Sequence, residues 1–176
     1  MGRVDQQNVD TLIQKVKQFI NNGETTINVN FDSVGGQIEH GITGYEQLSV
    51  YRDNLKMNNL RFTDSSAVLL FCAGNVRVCN SGASFLIHST ALKSFNPQTA
   101  NPKHIQANKQ NVAVLNNVQV DIIFRTTGIA PAQILSWVSV LPNGTRLTDT
   151  QALQHGLVQT INPTPIVPSA NGITIP

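Results

Sequence analysis

Apolar residues recur at three- and four-residue steps through Val9, Leu12, Ile13, Val16, Phe19 and Ile20, a spacing that places them on one face of a helix. Gly23 suits that helix's C-terminal stop. Thr25–Phe31 then alternates with β-branched residues and predicts a strand. Asp32-Ser33-Val34-Gly35-Gly36 predicts a turn, followed by a helix with Ile38, Ile42, Tyr45 and Leu48 facing inward. A second unit of the same kind follows. Leu60–Thr63 is a short extended piece, and Ser65–Cys72 is an apolar helix ending at Gly74. Val76–Cys79 and Ser84–His88 predict two short strands.

Downstream the period is helical over one long segment, Asn101–Thr127, carried by Ile105, Val112, Val114, Leu115, Val118, Ile122 and Ile123. The preceding SFNPQTANP reads as a loop. Pro131 begins a short helix through Trp137, Thr148 with Gln151 forms a capping-box start, and Gly156 ends that helix. Leu157–Ile161 predicts a last strand. The expected organisation is one α/β domain over residues 1–161, with repeated β-turn-α units, a mainly parallel sheet and surrounding helices. Residues 162–176 carry four prolines and are expected to form an extended tail.

Composition narrows the function. Only 12% of the 176 residues are charged against 40% hydrophobic, which reads either as surface buried in a homo-oligomer, the expectation here, or as a weakly solvated surface. The net charge of +2 with no dense Lys/Arg run argues against nucleic acid. No apolar run approaches the ~20 residues of a membrane span, and MGRVDQQNVD lacks the apolar core of a signal peptide. Cys72 and Cys79 form no CxxC or Cys/His ligand spacing, so no metal or cofactor is expected. Both thiols lie among apolar residues and read as buried and free, which points to the reducing cytoplasm.

Three features carry candidate chemistry when taken together: the Gly35-Gly36 pair, Ser65 at a helix start and His88 at a strand end. A serine needs an adjacent base such as histidine to act as a nucleophile. In a helix's first turn it also sits among unpaired backbone N–H groups that can stabilise an oxyanion. A Gly-Gly pair lets another N–H approach the same oxygen without a side chain in the way. Each feature has a structural alternative. Ser65 can be an N-cap, with Asp64 and Ser66 as rivals; the glycines can be a plain turn; His88 can be a satisfied structural group.

Four segments, in order, resemble the proteolytic subunit of the Clp protease (ClpP), within the wider ClpP/crotonase fold. INVNFDSVGGQIEHGITGYEQL is similar to that family's strand-SPGG-helix, with Val34 in place of the proline. DSSAVLLFCAG resembles its nucleophile helix, FLIHS its histidine strand and RLTDTQALQHGLVQTI its closing helix-strand. The resemblance runs from Val4 to Ile161. It implies a serine endopeptidase that cleaves peptides or unfolded proteins through an acyl-enzyme, with Ser65 as nucleophile, His88 as base, and the N–H groups of Gly36 and Ser66 as oxyanion donors. It also implies a chamber of stacked heptameric rings, interlocked by a handle helix matching 101–127.

The chain departs from the family at three places. Counting forward from Gly128 to the family's triad aspartate lands on Trp137, and counting back from GLVQ lands on Val140. No acid lies between Gly128 and Asp149. Asn143 is therefore the candidate third member, as an amide, while Asp149 is better placed as a helix N-terminal charge. The glycine-rich substrate strand is replaced by STALKSFNPQTANPK. The chain also starts where the family's first strand ends, so the segment that helps dock an unfolding ATPase is expected to be missing, and an ATPase partner stays open. These departures define the alternative, an inactive ring subunit or assembly protein. Acyl-CoA chemistry of the crotonase kind ranks last, because no adenine-pocket residues are recognisable.

Overall fold

Two ten-residue strands, β2 (Ile27–Gly36) and β3 (Leu55–Asp64), run parallel through the centre of an eight-stranded sheet. The computed structural model describes residues 2–90, 101–140, 143–166 and 172–174. The sheet order is β1 (Gly2–Val4), β2, β3, β4 (Val76–Asn80) and β7 (Thr160–Asn162). Three strands lie off that path. β5 (Ser84–Ile87) pairs with β3 and with β6 (Thr145–Thr148), and β8 (Ile173–Thr174) pairs with β2. Every pairing is parallel except β5–β6. The mainly parallel α/β architecture is thus as expected.

The helices form where their apolar period places them. α1 (Gln6–Asn21) is capped by Asp5, whose carboxylate accepts the Asn8 N–H at 3.0 Å, and it buries Val9, Leu12, Ile13 and Val16. α2 (Ile38–Ser49) buries Ile38 and Leu48 and comes against α3 (Ser66–Phe71), in which every residue is buried. Gly41 permits this approach: a Cβ there would meet the Ser66 carbonyl at 2.8 Å. α4 (Pro102–Thr127) starts at the Asn101 cap and stops at Gly128, which takes the left-handed conformation. α5 (Pro131–Val138) and α6 (Asp149–Gln154) follow, and the Thr148/Gln151 capping box of α6 is formed on both sides.

Strand boundaries are where sequence pattern and structure part. Asp32–Gly36 is not a turn but the second half of β2, held by β1, with Ser33 opposite Gly2 and Gly36 opposite Val4. A three-residue partner strand has too little alternation to be legible. β3 begins at Leu55 rather than Leu60, because polar Asn58 and Asn59 interrupt its pattern. Both are buried, and their amides find partners across the sheet: Asn58 Nδ2 donates to Asn30 Oδ1 at 3.0 Å, and Asn59 Nδ2 to the Ser84 carbonyl at 2.9 Å. The last ladder begins at Thr160, not Leu157. The tail adds β8 against Val29 and Asn30, and Ile166 N–H bonds Asn80 Oδ1 at 2.9 Å. Most of the predicted SFNPQTANP loop lies outside the described residues. Among the described residues, no helix is long and apolar enough to cross a membrane.

The core sits between β2–β3 and α1–α3. Phe71 stands edge-on to Phe31 at 5.4 Å and to Phe85 at 5.2 Å, which joins the central strand to β5. A buried arginine ties the helix ends to this sheet. Arg77, almost fully buried, donates to the carbonyls of Gly74 and Leu157 at 2.9 Å and to those of Thr126 and Gly156 at 3.3 Å. These acceptors lie at or just beyond the C-terminal ends of α3, α4 and α6. The negative ends of three helix dipoles therefore surround the guanidinium, although burial still lowers its pKa.

Candidate functional site

Ser65 occupies the step between β3 and α3, with φ 58° and ψ −130°. It is the one described residue other than glycine with a positive φ. A conformation of this kind costs about 1–3 kcal/mol and persists only where the surroundings over-determine it. Here Ser65 N–H donates to the Leu86 carbonyl at 2.7 Å. The conformation also bears on the alternative role as a cap. Asp5, Asn101 and Thr148 cap their helices from extended backbone with a side-chain hydrogen bond, whereas Ser65 makes no such bond. Among the described residues its hydroxyl makes no hydrogen bond, and it sits on a sharp strand-to-helix turn.

The glycine pair reaches this serine. A Cβ on Gly35 would meet the Asp64 carbonyl at 2.5 Å, Ser65 Cβ at 2.6 Å and the Ser66 nitrogen at 3.1 Å, so only glycine allows the approach. Gly35, at φ 82°, makes that contact; Gly36 packs instead on Val4. Gly35 N–H is taken by Ser33 Oγ at 3.2 Å. Ser66 opens α3, where the first N–H groups have no intrahelical acceptor. Its Oγ is buried without a partner in the described structure.

His88 follows β5 directly and lines a cavity of about 470 Å³ with Leu86, Asn143, Gly144 and Arg146. The Leu86 whose carbonyl holds Ser65 thus belongs to the same cavity wall as the imidazole. His88 Nδ1 lies 2.8 Å from the Ser89 carbonyl. As donor to that oxygen, Nδ1 carries the proton and Nε2 keeps its lone pair, the tautomer a general base requires. α4 holds this segment from behind: Gln119 donates to the His88 carbonyl at 3.2 Å, and Asn116 bonds Thr90 N–H and Ser89 Oγ, both at 2.9 Å.

The segment brought beside His88 is Asn143–Gly144. Neither position reached by counting lies there: Trp137 is in α5, edge-on to His155 at 4.9 Å, and Val140 is exposed. Gly144, at φ 72°, leans on His88, and a Cβ there would collide with His88 Cβ and the Ile87 carbonyl. Asn143 lines the cavity, but among the described residues the partner of Nδ1 is the Ser89 carbonyl, not the Asn143 amide. Asp149 is engaged elsewhere. The Gly82 N–H, at 2.8 Å, is the main cause that holds its carboxyl below the ordinary range.

Two residues beside the site escaped the sequence pattern. Asp64, directly before Ser65 and largely buried, accepts Arg146 Nη1 at 3.1 Å and Nη2 at 2.9 Å in a two-pronged ion pair. Its place at a strand end beside a serine was the only signal; Arg146 carried none. Cys72 and Cys79 are free and buried, and burial pushes their thiols up to about 11 and about 12. Among the described residues no group of His, Cys, Asp and Glu is placed to hold a metal ion.

The Clp protease family model matches residues 1–164 of the chain. Among solved structures, ClpP1 from Listeria monocytogenes superposes with a TM-score of 0.75, and a mutant of the same protein with 0.78. Each is 16% identical, over 93% of this chain and 88% of the other. At that identity the likeness is one of fold. Comparison with curated protein sequences finds no match.

Proposed function

The chain belongs to the Clp protease family, and we propose that it is a serine peptidase in which Ser65 attacks a peptide carbonyl and His88 accepts its proton. The observation that carries this reading is the uncommitted Ser65 hydroxyl, held at positive φ before α3 with Gly35 against it. The Ser66 N–H, and Gly36 N–H on the resemblance, serve as oxyanion donors. His88 Nε2 takes the serine proton and later returns it to the leaving amine. Asn143, which lines the cavity with His88, is the candidate for the third member. With an amide in the aspartate's place, kcat in serine proteases falls about 10⁴-fold, so the enzyme is a slow one. Its substrates are peptides or unfolded chains, and it works in the cytoplasm, in keeping with two buried free thiols.

Assembly belongs to the same proposal. The first half of α4 extends beyond the core: its buried residues begin at Gln119, and Val114 stays 61% exposed. A homo-oligomeric ring would cover that surface. The alternative, an inactive subunit of such an assembly, has one observation in its favour: among the described residues no acid lines the cavity beside His88. Reaction with a fluorophosphonate probe separates the two. Stoichiometric labelling is expected at Ser65, with hydrolysis of unstructured peptides falling about 10³-fold or more in both Ser65→Ala and His88→Ala. A folded protein that neither labels nor hydrolyses would leave the inactive subunit as the reading. Light scattering of a monomer at high concentration would count against a chamber.

A further inference from the structure

We propose that Arg146 is a positioning residue that acts through Asp64 on Ser65, so that the segment Gly144–Arg146 at the start of β6 sets both members of the Ser–His pair. The inference rests on the peptidase reading. Ser65 is held at φ 58° against its own preference, and what holds it is visible on both sides of the residue. On one side are its N–H bond to Leu86 and the contact with Gly35. On the other is Asp64, the last residue of β3, whose carboxylate meets Arg146 through both oxygens. A two-pronged guanidinium–carboxylate pair fixes direction and plane as well as distance. Arg146 is itself fixed, with Nη1 also donating to Ser84 Oγ at 2.7 Å.

The register shows why β6 can do this. Asp64 lies opposite Leu86 of β5, and Leu86 lies opposite Arg146 of β6, so the ion pair spans one rung of the sheet beside the cavity. Two residues earlier, Gly144 rests on His88. The segment Gly144–Arg146, which leads into β6, therefore touches the proposed base through a glycine and the residue before the proposed nucleophile through a salt bridge. Stability alone does not call for charges here, because the Arg146 side chain is 45% exposed, and ion pairs that stay open to solvent contribute only about 1 kcal/mol or less.

That property separates positioning from mere support. In Asp64→Leu/Arg146→Met the melting temperature is expected to stay within a few degrees of the parent. Fluorophosphonate labelling of Ser65 and peptide kcat are expected to fall about 100-fold with KM little changed. Arg146→Lys, which keeps the charge but not the fork, is expected to lose about tenfold. In a crystal structure of the double variant, Ser65 should leave the positive-φ region. Parental labelling in the double variant, or a Ser65 φ still near 58° there, would overturn the proposal. If the parent itself never labels, the peptidase reading fails, while the Ser65 backbone of the variant still decides the positioning. Should the double variant not fold, Arg146→Lys carries the same readouts: parental labelling with an unchanged φ overturns the role.

Discussion

Between Ile27 and Phe31, β2 runs in unbroken register beside Leu55–Asn59 of β3; between Phe31 and Ser33 that register breaks, and Ser33 faces Thr63. The first half packs Ile27, Val29 and Phe31 against the helices, with β4 and β8 as flanking strands. The second half carries Ser33, Gly35, Gly36, Thr63 and Asp64, flanked by β1 and β5. The same two strands thus serve as ordinary core at one end and as the frame of the candidate site at the other. The difference lies in what each end spends on geometry. The core end relies mainly on apolar burial, which tolerates some rearrangement, with the amides of Asn30, Asn58 and Asn59 as its buried polar contacts. The site end uses glycine contacts, a positive-φ serine and an ion pair, which tolerate little.

The contrast can be broken most forcefully from the core. Phe71→Ala removes the ring that joins Phe31 to Phe85 and is expected to cost about 3–5 kcal/mol in denaturant unfolding. Labelling of Ser65 should fall only in proportion to the fraction unfolded. Gly144→Ala sharpens the site end. Its side chain would press on His88 from a backbone at φ 72°, at a cost of about 2 kcal/mol. Labelling is expected to drop well beyond what the unfolded fraction explains, and a proportional drop would mean that Gly144 does not position His88.

Smaller effects test the strain itself. Ser65→Gly and Ser65→Ala both lack the hydroxyl, but only alanine keeps a Cβ at φ 58°. The glycine variant is expected to be the more stable by about 1 kcal/mol in urea titrations. Equal stability would show that Ser65 is not strained. The smallest effect belongs to Asp149, whose carboxyl is held low chiefly by the Gly82 N–H. A depressed folded pKa stabilises above the unfolded value of about 3.9 and is lost as pH falls through the folded one. Asp149→Asn should therefore destabilise by about 0.5 kcal/mol near pH 7, and the two proteins should converge in acid.

The chain's own pattern determined the helices and the class of fold. Helical periodicity and capping are local properties, so Val9–Ile20, Thr148/Gln151 and the Pro131 start were legible, as was the order in which a glycine pair, Ser65 and His88 occur along the chain. The short and polar strands were not. β1, β6 and β8 have two to four residues each, and Asn58 is tolerable in a central strand only because Asn30 lies beside it. Nor does spacing along a loop report which residue folds back, so it is Asn143 and Gly144, not Trp137 or Val140, that line the cavity with His88. Only tertiary structure decided how Ser65 is held, since the Arg146 that clamps its neighbour lies 82 residues from Asp64 along the chain. A contact of that range leaves no period in a sequence, because its partners meet only after the sheet has formed.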